Sequence, residues 1–149
     1  MKRIFTVLIL LILLGSCKSS QMSGQGIQGQ VFWVAGNQMP QANDRGVNPE
    51  EKVPVQRTLR IHELTHINQA RLGDALFGDI ETPLIEEVKT DEEGRFSVKL
   101  PAGRYTVFTV EKSGYFANVF DLDSYINPYE VKEGEWTKAE ILINYEGAY

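Results

Sequence analysis

Thr90-Asp91-Glu92-Glu93-Gly94-Arg95-Phe96-Ser97-Val98-Lys99-Leu100-Pro101-Ala102-Gly103-Arg104-Tyr105-Thr106-Val107-Phe108-Thr109 is the stretch that decides how the chain folds. Asp91 to Gly94 is a turn signal, since Gly accepts the positive φ that closes a tight reversal. From Arg95 the side chains alternate, with Arg95, Ser97 and Lys99 on one side and Phe96, Val98 and Leu100 on the other. That period of two is a half-buried strand. Pro101-Ala102-Gly103 turns the chain back, and Arg104 to Val110 is rich in the β-branched and aromatic residues that suit a pleated surface. The stretch therefore reads as two strands of a hairpin, with Asp91, Glu92 and Glu93 at the solvated tip of the turn that leads into the first of them.

Working outward, Ile27 to Val34 is a first strand with Ile27, Val31 and Trp33 on one face, and Gly29 inside it signals a bulge or a close backbone approach. Val53 to Ile61 reads as a second strand, Pro83 to Thr90 as a third, and Tyr115 to Phe120 as a short one. Tyr129-Glu130-Val131 adds a brief pairing segment, and Trp136 to Tyr145 closes the sheet with Ala139, Ile141, Ile143 and Tyr145 inward. Gln69 to Gly78 is turn-rich. About seven short strands without a helix of useful length predict an all-β antiparallel sandwich.

The pattern Thr-Asp-x-x-Gly-x-Phe-x-Val-x-Leu-Pro-x-Gly-x-Tyr-x-Val from Thr90, with Ile27-x-Gly29-x-Val31 ahead of it, resembles the carboxypeptidase regulatory-like family. The resemblance runs over residues 27–145 and implies a small transthyretin-like, immunoglobulin-like sandwich. Domains of that family accompany a catalytic or transport partner and do no chemistry themselves, so it also implies a binding or structural module, without cofactor or catalytic residue. Ala35 to Lys52 departs from the shorter linker usual there. A loop of that length is a candidate recognition surface.

The N-terminus carries the most specific signal. Met1-Lys2-Arg3 is a basic head, followed by the aliphatic run Ile4 to Leu14. Eleven helical residues span about 16 Å, roughly half of a hydrocarbon core, so the run is a signal-peptide segment and too short to cross a membrane. Leu14-Gly15-Ser16-Cys17 resembles a bacterial lipobox, and the only cysteine of the chain stands at the position that would be acylated. Residues 1–16 then form the signal peptide, 17–26 the lipidated Cys17 and a polar tether, and 27–149 the domain. Acylation would make the membrane the first partner. By analogy with enteric bacteria, Lys18 in place of Asp favours the outer membrane over inner-membrane retention.

The chain carries 15 basic and 20 acidic residues, a net charge of -5. Lys2 and Arg3 belong to the leader, which takes the remainder near -7. An acidic domain without a basic stripe is repelled by phosphate backbones, which disfavours nucleic-acid binding. One cysteine excludes an intramolecular disulfide.

His62-Glu63-Leu64-Thr65-His66 matches the zinc-peptidase signature His-Glu-x-x-His. That chemistry needs a helix, which would place His62 and His66 on one face around a metal with Glu63 as general base, and a third ligand such as Glu81, Glu86 or Glu87. The preceding residues alternate as a strand, which would hold the two imidazoles about 13 Å apart, and Arg57, Arg60 and Arg71 surround them. The expectation is two surface or loop histidines and no metal site, with a small metallopeptidase as the alternative. Asp121-Leu122-Asp123 supplies only part of a calcium loop. Phe116, Tyr125 and Tyr129 form a candidate binding surface that would stack on a sugar if exposed, so an envelope protein and a glycan are the candidate partners.

Overall fold

The computed structural model describes residues 24–34 and 52–146. The leader, Cys17, all but the end of the tether and all but Lys52 of the long first loop lie outside them. The described residues form eleven strands: β1 (Gly26–Val34), β2 (Lys52–Pro54), β3 (Thr58–Glu63), β4 (Ala70–Leu72), β5 (Phe77–Ile80), β6 (Leu84–Lys89), β7 (Arg95–Lys99), β8 (Gly103–Glu111), β9 (Gly114–Phe116), β10 (Pro128–Val131) and β11 (Trp136–Ile143). A 3-10 turn covers Ile67–Gln69.

Two sheets result. In the four-stranded sheet β1 is central, with β11 on one side and β7 and β2 on the other. In the seven-stranded sheet the order is β4-β5-β9-β8-β3-β6, and β10 also pairs with β8. The larger sheet is antiparallel throughout, but β1 and β11 run parallel over Gly26–Trp33. The expected purely antiparallel sandwich is corrected there. Alternation reports which face a residue occupies and carries no information on the direction of its neighbour.

The stretch from Thr90 to Thr109 forms its two strands, β7 and β8, in different sheets: β7 pairs with β1 and β8 with β3, β9 and β10. The expected hairpin is instead a corner of the sandwich. Asp91, Gly94 and Tyr105 of the pattern hold it in shape. The Asp91 carboxylate accepts from the amides of Glu93 and Arg95 at 3.0 and 2.8 Å. Gly94 has φ +73°, and a Cβ there would lie 2.4 Å from the Val31 carbonyl oxygen. The Tyr105 hydroxyl donates to the Pro101 carbonyl at 2.8 Å and ties off the second corner.

Other expectations shift for similar reasons. The single strand Val53–Ile61 splits at Val55–Arg57 into β2 of one sheet and β3 of the other, which leaves Val53 47% exposed while Leu59 and Ile61 are fully buried. The turn-rich segment after Gln69 contains β4 and the start of β5, both too short to show a period. The segment after Tyr115 is β9 only as far as Phe116.

The main core lies between the sheets, where Ile27, Val31, Leu59, Ile61, Val107 and Ile143 lose all contact with water. Phe108, next to Val107 on β8, is also fully buried. Neighbours on a strand point to opposite faces, so Phe108 occupies the outer face of the larger sheet. There it forms a second cluster with Phe77, Ala117 and Ile126, partly closed by Ile80 and Tyr115. The chain after β4 folds back over this face, and burying a side chain the size of Phe108 contributes about 1.5–3 kcal/mol.

Candidate functional site

The same outer face carries a polar cleft built largely from strand residues. Register sets Arg60 opposite Phe108 and His62 opposite Thr106, so Arg60 and His62 project beside the second cluster and away from Leu59 and Ile61. The segment Gly78–Ile80 passes over them and leaves a cleft of about 270 Å³ lined by Arg60, His62, Gly78, Asp79, Ile80 and Tyr115.

His62 is only 5% exposed, which corrects the expected surface or loop histidine. A chain of hydroxyls fixes its tautomer. The Thr65 hydroxyl donates to the Glu63 carbonyl at 2.8 Å, so in its 2.6 Å contact with the Thr82 hydroxyl it must accept. The Thr82 hydroxyl has then spent its proton. The Nδ1 of His62, 2.8 Å from the Thr82 carbonyl oxygen, faces a group that only accepts, so Nδ1 carries the hydrogen. Thr106 anchors the far end, accepting from the Thr65 amide at 2.9 Å and donating to the Ile126 carbonyl at 2.7 Å. Thr65, Thr82 and Thr106 are all buried. Nε2 is left as a bare lone pair, buried and without a protein partner.

Burial holds the His62 pKa below its ordinary 6.5, the nearby Arg60 charge lowers it further, and the Thr82 carbonyl opposes both. Arg60 is itself held by two neighbours. Its Nε donates to Glu87 at 2.9 Å, its Nη1 donates to the Tyr115 hydroxyl, and its guanidinium lies 5.2 Å from the Tyr115 ring centre. These contacts raise its pKa, the Glu87 hydrogen bond foremost. Asp79 pairs with Arg71 at 2.8 Å on the exposed rim.

A stability profile tests the assignment of His62. In the unfolded chain this imidazole takes up a proton near 6.5, and in the folded chain only at lower pH. Between those values the unfolded chain binds more protons, so acidification favours unfolding. Stability should be level above 6.5 and decline below it, by at most about 1.4 kcal/mol per pH unit from this one group. The Asp91 and Asp121 carboxyls, held below 3.8 chiefly by backbone amides, enter only at more acid pH. His62→Asn keeps a donor for the Thr82 carbonyl and does not titrate. Urea midpoints measured across this range should lose the decline that begins at 6.5 in that variant; an unchanged decline would assign it to other groups.

His66 goes elsewhere. β3 ends at Glu63, and His66 caps the 3-10 turn, its Nδ1 accepting from the Asn68 amide at 3.2 Å. No helix brings His62 and His66 to one face, and Glu63, Glu81, Glu86 and Glu87 are exposed. Among the described residues no three His, Cys, Asp or Glu side chains gather where they could share a metal. Asp121 instead closes its own loop by accepting from the amides of Asp123 and Tyr125 at 3.0 and 2.9 Å.

The three aromatics do not share an exposed surface. Phe116 is 4% exposed and faces the main core, because β9 places it between the sheets. Tyr125 is half-buried, with the His66 ring edge-on at 5.4 Å and the Arg104 guanidinium 5.4 Å from its ring centre. Tyr129 packs half-buried against the main core. The residues that do converge, Arg60, His62 and Tyr115, have one signal in the sequence: Arg60 and His62 share the parity opposite to Leu59 and Ile61. Nothing local announces that a later segment roofs them over.

Compared with known protein families, with characterised proteins and with solved structures, the chain has no match.

Proposed function

We propose that the protein is a lipid-anchored, non-catalytic binding module of a Gram-negative cell envelope, tethered to the outer membrane through acylated Cys17. In this reading the β-sandwich is of the carboxypeptidase regulatory-like kind, and the cleft of Arg60, His62 and Tyr115 is where it holds a ligand. The observation that carries the anchoring is the run Ile4–Leu14 ending in Leu14-Gly15-Ser16-Cys17, with no other cysteine in the chain. The state of the cleft supports binding over chemistry. Its cation is engaged by Glu87 and Tyr115, its carboxylate by Arg71, and its imidazole is kept neutral by burial. Groups fixed this way are pre-organised to hold a polar molecule.

The anchoring is tested by labelling a Gram-negative host with radioactive palmitate while it expresses the full chain. Wild type should take up label and sediment with outer membranes, and Cys17→Ala should lose both. A single acyl chain holds a protein only marginally and two or more hold it stably, so the shift between fractions should be nearly complete. Unlabelled wild type, or a Cys17→Ala chain that still sediments, would defeat the reading.

A further inference from the structure

Each wall group of the cleft restricts what can enter it. His62 presents a bare Nε2 that only accepts, and a buried acceptor left without a donor is costly. Arg60 commits Nε to Glu87 and Nη1 to the Tyr115 oxygen, and among the described residues its Nη2 has no partner. The Tyr115 oxygen accepts from Arg60, so its own proton remains to be given. Asp79 adds a carboxylate at the rim. Acceptors and donors therefore alternate around one small volume.

A cationic ligand would satisfy Nε2 but meet the Arg60 charge. An anionic one would suit Arg60, already neutralised by Glu87, but face the Nε2 lone pair and the carboxylate of Asp79. A neutral ligand avoids both conflicts, provided it donates and accepts at neighbouring points. Adjacent hydroxyls do this, since each donates one proton and accepts on the same atom. The volume of about 270 Å³ lies just under the usual range for small-molecule pockets and suits one ring.

We infer that the cleft binds a neutral ligand bearing vicinal hydroxyls, of about monosaccharide size, with one hydroxyl donating to His62 Nε2 and accepting from Arg60 or Tyr115. This rests on reading the domain as a binding module. Nε2 is covered by protein, so the hydroxyl reaches it as Gly78–Ile80 shifts outward. β5 pairs with the edge strand β4 at Ala70–Ile80 and Leu72–Phe77, but with β9 only at Phe77 and Tyr115, so the β4–β5 hairpin that carries Gly78–Ile80 is joined to the rest of the sheet by a single residue pair and moves as a unit. Ile80 supplies an aliphatic side, and the site uses none of Phe116, Tyr125 and Tyr129.

The experiment follows the His62 ring nitrogens by long-range nitrogen–proton NMR on the full chain, in a detergent without a sugar headgroup. The probes are methyl glucoside, methyl galactoside, methyl mannoside, acetamide and inorganic phosphate. At least one glycoside should move the Nε2 resonance saturably, with accompanying amide shifts at Gly78–Ile80 and Tyr115. His62→Asn, which keeps the Thr82 contact, should weaken that glycoside about tenfold or more while the amide spectrum elsewhere stays folded. Tyr115→Phe should weaken it by a smaller factor. No saturable glycoside shift up to about 100 mM would overturn the inference. So would saturation of Nε2 by acetamide or phosphate and not by a glycoside. A glycoside that binds with Nε2 unmoved overturns the placement of the ligand but leaves the binding module standing, whereas loss of palmitate labelling bears on the anchor alone.

Discussion

Gly29→Ala is expected to prevent stable folding. Gly29 sits in the middle of β1, opposite Ala139 of β11 on one side and Phe96 of β7 on the other. A Cβ at Gly29 would lie 1.8 Å from the Ala139 carbonyl oxygen and 2.7 Å from its carbon. These are backbone atoms of the neighbouring strand, so no side chain can rotate away. Relief requires β1 and β11 to separate, and that ladder spans eight residue pairs. The cost should exceed about 4 kcal/mol, the range reserved for substitutions that break a packed element. With a total stability of about 5–15 kcal/mol for a domain, this is enough to populate the unfolded chain strongly. Gly134→Ala is the matched control. Gly134 has φ +73° with open space around it, so its substitution should cost only about 1–2 kcal/mol of backbone strain. Urea titration followed by tryptophan fluorescence compares the two. A Gly29→Ala midpoint equal to or above that of Gly134→Ala would show that the close approach of β1 to β11 is wrong.

Glu111→Ala should be the most damaging change outside the backbone. The Glu111 side chain is 3% exposed and accepts from Arg57 Nε at 3.2 and 3.3 Å. It also accepts from the Thr109 hydroxyl at 2.9 Å and the Tyr145 hydroxyl at 3.1 Å. Arg57 in turn lies 5.8 Å from the Trp33 ring centre, and Trp33 meets Tyr145 edge-on at 5.6 Å. One carboxylate thus joins β1, β8, the β2–β3 link and the chain after β11. Removing it leaves a partly buried guanidinium without its carboxylate, holding only the Gln56 carbonyl through Nη1, and two hydroxyls without their acceptor, a loss of about 3–5 kcal/mol by analogy with other broken buried pairs. Glu111→Gln keeps the shape and two acceptor contacts and should cost about half as much. Coupling between Glu111→Ala and Tyr145→Phe should be at least about 0.5 kcal/mol, as for groups in one network. Denaturant midpoints of the two single variants and the double variant measure it. Strict additivity would mean that Tyr145 contributes packing alone.

The parts of the fold legible in the sequence are those where a local rule and the final structure agree. The alternation of Phe96, Val98 and Leu100 survives because β7 has one wet face, and Asp91 and Gly94 close a turn through contacts only a few residues long. Ala139, Ile141 and Ile143 point inward as their period requires. β8 is different: Tyr105 to Thr109 is buried at every position, so alternation there could not reveal that both faces are covered. Of the cleft, only the common parity of Arg60 and His62 was visible. The buried threonines Thr65, Thr82 and Thr106, which hold the imidazole in one tautomer, look like ordinary surface or strand threonines until three distant segments meet.

The strand character, the inward faces of β1, β7 and β11, the two turns around β7, and the need for a bulge or a close approach at Gly29 are written in the local sequence. All follow from side-chain size, φ preference and a period of two, which act between residues close in sequence. Which sheet receives each strand, the parallel run of β1 and β11, the approach of Gly29 to the Ala139 backbone, and the passage of Gly78–Ile80 beside Arg60 and His62 emerge only in the folded chain. Those outcomes depend on contacts between residues far apart in the chain, where many pairings satisfy the same local pattern and the burial of the whole chooses among them.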